Sequence, residues 1–288
     1  MCMVQRALVL AGGGVAGIAW ELGVLLGIRG GAPDLAPRIE DAEVIVGTSA
    51  GSTVAAQIST GRDLQELFDR QLTETSSEIQ VDFDVDSMMA LFGSAFAEAT
   101  SPEDMRRRIG ALALAANTVP EDVRRRAVQG RLPVQQWSDR AVLIPAIDAE
   151  TGELTVFTRD SGVELVDAVT ASCAVPGVWP PASIKGRRYI DGGTRSTTNA
   201  DLAIGAERVL VIVPVLPNVE PFAGQLELEI SALDPATVFV VAADDAAMQA
   251  FGVNPLSAAT RKPAALAGRI LGNSVAPQIE AFWNRDWG

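Results

Sequence analysis

Short apolar runs and apolar stretches of helical length alternate along the first sixty residues. Residues 6–11 form an apolar run typical of a buried strand, and residues 14–30 form a helix-like stretch that ends at a glycine pair. The same order returns over residues 43–61, where a β-branched run precedes a glycine-flanked turn and a second helix-like segment. Two strand–turn–helix units predict an α/β fold with a mainly parallel sheet.

The rest of the chain extends this sheet and adds helices. Residues 62–130 carry little strand pattern, and we interpret them as a helical insertion in the same domain. The signals that follow are a hairpin over 141–158, a helix ending before Pro176, a tighter hairpin over 183–193, a buried strand over 207–215 and a short strand over 237–241. We predict one domain over residues 1–288, with its core in 6–215 and a mostly helical region over 216–288.

Composition removes several classes of function. The chain has no histidine, so a Ser-His-Asp triad, a Cys-His pair and any histidine-ligated metal are excluded, and other groups must supply acid–base catalysis. The formal charge of −13 argues against nucleic acid as a partner. Cys2 and Cys173 lack metal-like spacing and suit a reducing compartment. We expect neither a metal nor a cofactor.

Residues 7–28 carry a single charge, Glu21, which raises the alternative of a membrane span or a signal peptide. Six glycines would weaken a lone helix there, and Glu21 would lie inside the bilayer. A buried strand, a tight loop and a buried helix explain this stretch better. We therefore expect a soluble cytoplasmic protein, with contact at a membrane surface at most transient.

The first chemical signal is a serine at a sharp turn. Ser49 stands between Gly47 and Gly51 in a G-x-S-x-G pattern, after a predicted strand and before a predicted helix. Small flanking residues let the backbone pass close to itself at such a turn. The turn would place Ser49 Oγ at a helix N-terminus, where developing negative charge is favoured. The alternative is a tight βα turn with an incidental serine.

The second signal is three consecutive glycines, residues 12–14, between the first predicted strand and helix. Such glycines let backbone N–H groups converge on one point, as an oxyanion hole requires. With Gly17 the same letters match a dinucleotide fingerprint, which needs an acidic residue at the end of the second strand. Asp41 and Glu43 lie at its beginning, which disfavours that alternative. A purely structural turn is the third interpretation.

The third signal is Asp191, which Gly192 and Gly193 follow at a predicted strand end. An Asp-Gly pair alone usually marks a turn. However, a serine nucleophile needs a base, and this chain has no histidine to supply one. We expect Asp191 to be partly desolvated, with its pKa raised from about 3.9 and with activity that persists below pH 6.

Together, the three motifs resemble those of bacterial patatin-like phospholipases in identity and order. The resemblance covers about residues 6–215, including the approach to Asp191 over 171–193 and the segment 201–214. It implies a three-layer α/β fold, with a mainly parallel sheet flanked by helices, and hydrolysis of lipid acyl esters without a cofactor. Ser49 would attack the ester carbonyl, and Asp191 would take the serine proton and later activate water. The oxyanion would be held by backbone N–H groups of Gly12, Gly13 and Gly14, with Gly17 allowing close helix packing.

One position departs from the pattern of that family. Many members carry Arg or Lys where this chain has Ala16, a difference that favours simple carboxylic esters or neutral lipids as substrates. The alternative function is a catalytically weak member that binds a lipid or a protein partner without turnover. A nucleotide-binding α/β protein is the third candidate.

Four further features have plain structural interpretations. The arginine runs at 106–108 and 124–126 are interpreted as solvated helix faces, with a landing site for anionic headgroups as the alternative. Residues 81–99 are interpreted as core, with a mobile lid as the alternative. The C-terminal 282–288 are interpreted as part of a packed last helix, with an interfacial anchor as the alternative. Cys173 is interpreted as a buried small apolar residue.

Overall fold

The computed structural model describes residues 4–35, 39–73, 78–81, 92–93, 95–214 and 224–284. Within these residues, eight strands form one sheet: β1 (Val4–Leu10), β2 (Val44–Gly47), β3 (Ala141–Asp148), β4 (Leu154–Phe157), β5 (Ala182–Ile184), β6 (Arg187–Asp191), β7 (Ala206–Val213) and β8 (Thr237–Ala242). The α-helices of the same residues are α1 (Gly14–Gly31), α2 (Ala50–Ser59), α3 (Leu64–Leu72), α4 (Pro102–Ala115), α5 (Glu121–Arg131), α6 (Leu165–Ser172), α7 (Gln225–Ala232), α8 (Asp245–Phe251) and α9 (Arg261–Trp283).

The sheet is parallel at its centre and antiparallel at one side. Its strand order is β5-β6-β3-β2-β1-β7-β8, and β4 pairs with β3 off this path. The strands β3, β2, β1, β7 and β8 run parallel, whereas β4 and β6 are antiparallel to β3. The predicted mainly parallel sheet is confirmed, and both predicted hairpins are present as β3–β4 and β5–β6.

Alternate residues of β1 face two different helical layers. Leu8 and Leu10 belong to the core cluster that includes α1, α2 and α9, while Ala7 and Val9 belong to a second cluster with α7. Successive strand residues point to opposite faces of a sheet, so both faces of β1 are buried. The sheet is therefore the middle of three layers, as expected.

Glycines bring α1 and α9 into backbone contact. A Cβ at Gly23 would lie 2.2 Å from the carbonyl oxygen of Ala265. A Cβ at Gly27, Gly268 or Gly272 would lie equally close to a carbonyl oxygen of the opposite helix. These contacts explain why the apolar stretch after β1 is rich in glycine. No helix among the described residues is long and apolar enough to cross a membrane.

Several sequence interpretations have partial outcomes. The segment interpreted as an insertion contains α3, α4 and α5, and its status as an insertion stays a prediction. Most of the core-or-lid segment, residues 82–91 and 94, lies outside the described residues, as do Cys2 and the last four residues. Trp283, at the end of α9, is fully buried, which confirms a packed last helix up to that residue.

The strand register gathers the three motifs at one edge of the sheet. β1 and β2 end side by side, with Leu10 opposite Gly47, so their following turns leave the same edge. β3 continues beyond its last pair with β2, Val46–Leu143, so Ala146 lies past the end of β2, on the side where the Ser49 turn leaves the sheet. Antiparallel β6 then places Asp191 opposite Ala146. The register thus sets Asp191 beside the turn that carries Ser49.

Candidate active site

Ser49 and Asp191 are in direct contact. Ser49 Oγ donates a hydrogen bond of 2.7 Å to Oδ2 of Asp191, across 142 positions of sequence. The other carboxylate oxygen, Oδ1, accepts the backbone N–H of Gly193 at 2.7 Å. Ser49 is 8% and Asp191 4% exposed. The structure brings the predicted nucleophile and the predicted base together in a buried pair.

Ser49 occupies a strained backbone conformation at the end of β2. Its φ of 52° and ψ of −114° lie where residues other than glycine are rarely found, and such strain is typical of functional turns. The turn needs glycine on both sides: a Cβ at Gly51 would lie 2.0 Å from Leu10 O, and one at Gly47 would lie 2.5 Å from Gly51 O. α2 begins at the next residue, so Ser49 lies at the positive end of a helix.

Three buried side chains hold the Ser49 backbone, and sequence reasoning missed their roles. The N–H of Ser49 donates to Ser172 Oγ at 3.0 Å. Its carbonyl oxygen accepts from Ser52 Oγ at 2.6 Å and from the Cys173 thiol at 3.1 Å. Cys173 is buried, as expected, but it also contacts the nucleophile turn. The available sequence signal was position: Ser172 and Cys173 lie in the segment 171–193 before Asp191, and Ser52 directly follows Gly51 of the nucleophile motif.

The glycine loop lies against the nucleophile. A Cβ at Gly12 would lie 3.5 Å from Ser49 Cβ. The backbone N–H of Gly12 already donates to Thr197 O at 2.8 Å. Gly13 is the N-cap of α1 and Gly14 its first residue, so their amides have no partner within the helix. Neither amide has an acceptor elsewhere among the described residues, which leaves these two N–H groups available to a ligand.

Gly17 and Gly192 permit close packing around this loop. A Cβ at Gly17 would be 3.2 Å from both Ala50 Cβ and Pro214 Cγ, so this glycine lets α1 approach the start of α2. A Cβ at Gly192 would lie 2.4 Å from the carbonyl oxygen of Pro145. Larger residues at either position would push the glycine loop or the Asp191 turn out of place.

Burial sets the ionisation of Asp191. It raises the pKa of this carboxyl to about 7, and the hydrogen bonds from Ser49 and Gly193 and the charge of Arg124 offset only part of the rise. The expected rise in the pKa is confirmed. The expected activity below pH 6 stays untested, and a base with this pKa, which is mostly protonated there, argues against it.

An apolar cleft opens above the Ser49–Asp191 pair. The cleft itself offers about 230 Å³, and it opens into a wider space of about 910 Å³ when the solvent-filled mouth is counted. Its apolar lining includes Phe92, Phe96, Ile109, Val175, Pro176 and Leu256. An acyl chain suits such walls because burial of apolar surface is favourable.

The two arginine runs differ in their surroundings. In the run 124–126, the last two arginines form ion pairs with acidic side chains, which fits a helix surface. Arg124 is 2% exposed, so the interpretation as a solvated face is wrong for this residue. In the run 106–108, the last two arginines pair with Asp104.

Comparison with known proteins places the chain in a family. The sequence profile described as Patatin-like phospholipase matches residues 8–204. VipD from Legionella pneumophila is similar in structure, with a TM-score of 0.40, 12% identity and coverage of 94% of this chain and 67% of the VipD chain. The type III effector protein ExoU has a TM-score of 0.43 and 16% identity, with coverage of 96% of this chain and 53% of the ExoU chain. Comparison with curated proteins gives no match. Because the matched profile spans more than half of its residues, the chain belongs to the patatin-like phospholipase family.

Proposed function

We propose that this protein is a serine hydrolase that cleaves acyl esters of lipids, with Ser49 as nucleophile and Asp191 as general base. Membership of the patatin-like phospholipase family supports a lipid acyl hydrolase activity. The observation that carries the proposal is the 2.7 Å hydrogen bond from Ser49 Oγ to Asp191 Oδ2 at the floor of an apolar cleft. Nucleophilic catalysis by serine needs a base in this position.

The reaction runs in two halves. Asp191 takes the hydroxyl proton as Ser49 Oγ attacks the ester carbonyl, and the tetrahedral intermediate collapses to an acyl-serine while Asp191 returns that proton to the departing alcohol. Asp191 then takes a proton from water, whose oxygen attacks the acyl-serine. The proton passes to Ser49 Oγ as the fatty acid leaves, which restores the starting state. Neither half needs a metal or a cofactor.

The glycine loop would stabilise the oxyanion. The amides of Gly13 and Gly14 have no competing acceptor among the described residues, so these two are the proposed donors. Gly12 would support them by packing against Ser49, with its own amide held by Thr197. In this proposal the motif glycines at 17, 47, 51, 192 and 193 shape the two turns.

The insertion proposed for residues 62–130 would form one wall of the acyl cleft, since Phe92, Phe96 and Ile109 line it. The single-domain organisation, the cytoplasmic location and transient contact with a membrane surface stay predictions.

Hydrolysis of p-nitrophenyl esters of increasing chain length tests this function. We expect wild-type turnover that rises with chain length while the cleft fills, and losses of at least about 10³-fold in Ser49→Ala and Asp191→Asn. Ser274→Ala, on the exposed face of α9, is the control and should match the wild type. Full activity in Ser49→Ala would reject the proposed nucleophile. A folded wild type that binds lipid vesicles without turnover would favour the alternative of a lipid-binding member.

A further inference from the structure

Arg124 is a buried cation whose hydrogen-bonding capacity is mostly unused. Its Nε and Nη1 atoms are inaccessible to solvent and have no hydrogen-bond partner among the residues that the structure describes. Within the described part of the chain, its Nη2 donates to the carbonyl oxygen of Cys173 alone, at the long distance of 3.5 Å. Burying a charge without a partner is costly, so such a group in a native fold calls for a ligand or another compensating contact.

Trp179 fixes the orientation of this guanidinium. The central carbon of the guanidinium lies 3.9 Å from the centroid of the Trp179 ring, which is close enough for a cation–π stack. Trp179 is itself buried. The stack covers one face of the guanidinium, and the edge that carries the two unpaired nitrogens is closed to solvent in this conformation, so a ligand reaches it only when the surrounding side chains move.

The guanidinium lines a small cavity that reaches Ser49. In this conformation the cavity itself has room for about one water molecule, and it reaches about 280 Å³ only when the open space at its mouth is counted; it adjoins the apolar cleft. Both spaces are bounded by Gly14, Ser49, Val175 and Leu256. The nucleophile therefore stands where an apolar space and a cationic space meet.

Arg131 lines the same cavity, but its charge is already compensated. Both Nε and Nη2 of Arg131 bind the carboxylate of Glu78, at 2.8 and 2.6 Å. Arg124 has no such ion pair among the described residues, and the carboxylates of Glu78 and Asp191 act on its charge only through space. Burial and the nearby Arg131 lower the pKa of Arg124 from its usual value, yet a guanidinium keeps its charge at neutral pH.

We propose that Arg124 is a substrate-selecting residue that binds the phosphate group of a glycerophospholipid on the alcohol side of the scissile ester. The acyl chain would fill the apolar cleft while the phosphate takes the open mouth of the Arg124 cavity and displaces its wall to reach the guanidinium, so that the ester carbonyl lies over Ser49. The forked donors of arginine match phosphate oxygens well. This inference rests on the proposed hydrolase function. It opposes the preference for neutral lipids suggested by Ala16, because it supplies a cation beside the nucleophile from α5 instead of α1.

A substrate pair with one difference tests the proposal. Dioleoylglycerol and dioleoylphosphatidic acid carry the same acyl chains, and kcat/KM for each is measured in mixed micelles of one non-ionic detergent. We expect Arg124→Gln to lower the ratio of kcat/KM for the phosphate lipid to that for the neutral lipid at least tenfold, as loss of a charged hydrogen bond should. Arg124→Lys should keep more of this ratio than Arg124→Gln. Arg126→Gln, two residues away on the exposed face, is the control and should leave the ratio as in the wild type.

Equal losses on both lipids in Arg124→Gln would overturn the proposal, because a residue that only supports the fold affects both substrates alike. Thermal unfolding shows whether each variant is folded. If Arg124→Gln does not fold, binding of glycerol 3-phosphate by the wild type decides, and absence of that binding would overturn the proposal.

Direct binding separates this inference from the proposed hydrolysis. Calorimetric titration of wild type and Arg124→Gln uses glycerol 3-phosphate and, separately, inorganic phosphate. If the wild type hydrolyses neither lipid, the proposed function fails, but glycerol 3-phosphate binding that Arg124→Gln loses would still support the subsite. Absence of that binding in the wild type would overturn it. Equally tight binding of inorganic phosphate, with an unchanged substrate ratio, would indicate a free-anion site and would also overturn the headgroup assignment.

Discussion

Asn199 Nδ2 lies 3.1 Å from Oγ1 of Thr48, the residue just before the nucleophile Ser49. The same amide group donates to the carbonyl oxygen of Gly192 at 3.3 Å, directly after Asp191. Asn199 is fully buried and has a left-handed φ of 48°, a conformation that asparagine tolerates better than most residues. One side chain thus ties together the two turns that hold the proposed nucleophile and base.

Replacement of this link should slow the reaction more than it weakens binding. We expect Asn199→Ala to lower kcat about 10- to 100-fold with little change in KM, since small misplacements of reacting groups cost this much. The stability loss should be about 1–3 kcal/mol from the unpaired buried groups. Steady-state kinetics on the best p-nitrophenyl ester measures the first effect. Asn273→Ala, on the exposed face of α9, is the control. An unchanged kcat in a folded Asn199→Ala would show that the link has no positioning role.

The pH dependence of the rate should report Asp191. Burial raises its pKa to about 7, and only the ionised form accepts the serine proton. We therefore expect log kcat/KM to rise with unit slope below about pH 7 and to level off above it. The chain has no histidine, so a titration in this range cannot come from an imidazole. Rates measured from pH 4.5 to 9 test this, and a constant kcat/KM down to pH 5 would contradict the raised pKa.

The same burial should make Asp191 a source of instability at high pH. The folded-state pKa of about 7 exceeds the ordinary value of 3.8, so the folded protein binds this proton more tightly than the unfolded chain. Stability from this group is present in full below about pH 4 and is lost as the pH rises towards 7. The pKa of Asp191 differs by about 3 between the folded and the unfolded state, and each pKa unit corresponds to about 1.4 kcal/mol. Ionisation of Asp191 therefore lowers the free energy of unfolding by at most about 4 kcal/mol.

Asp191→Asn should therefore unfold at a higher temperature than the wild type at pH 8, and the difference should shrink at pH 5. Differential scanning calorimetry at both pH values measures it. Asp139→Asn, at an almost fully exposed carboxyl, is the matched control and should show no such pH-dependent gain. A gain for Asp191→Asn of the same size at both pH values would mean that ionisation is not its cause.

The sequence located the Ser49 turn and the Asp191 turn because their signals are local. A glycine at each side of Ser49 is required by the contacts of that turn alone, and the Gly192–Gly193 pair marks the other turn. The sheet could be predicted for the same reason, since an apolar run or a hairpin turn is recognised from consecutive residues. The pairing of Ser49 with Asp191 needed one further fact, the absence of histidine.

Long-range packing set the features that the sequence did not predict. Three consecutive arginines on α5 give no sign of which one points inward, and the choice of Arg124 depends on its stack against Trp179, 55 positions away. The hydrogen bond from the Gly12 amide to Thr197 O could not be predicted from the sequence either, because it joins two loops that are far apart in the chain. The contact of α1 with α9 joins residues more than 200 positions apart, so the sequence could not show which helix packs against the glycines of α1.

That helix contact gives a last prediction. A Cβ at Gly23 would lie 2.2 Å from the backbone oxygen of Ala265, and neither helix backbone can yield cheaply, because α1 is buried in the core. We expect Gly23→Ala to cost at least about 3 kcal/mol and to lower Tm by roughly 6 °C or more, despite the better helix propensity of alanine. Gly30→Ala is the matched control: Gly30 lies in the same helix but is exposed, and among the described residues its added Cβ would meet the Asn273 amide alone, at 3.3 Å. It should be neutral or stabilise by up to about 1 kcal/mol. Equal Tm values for the two variants would show that α1 and α9 do not need backbone contact at Gly23.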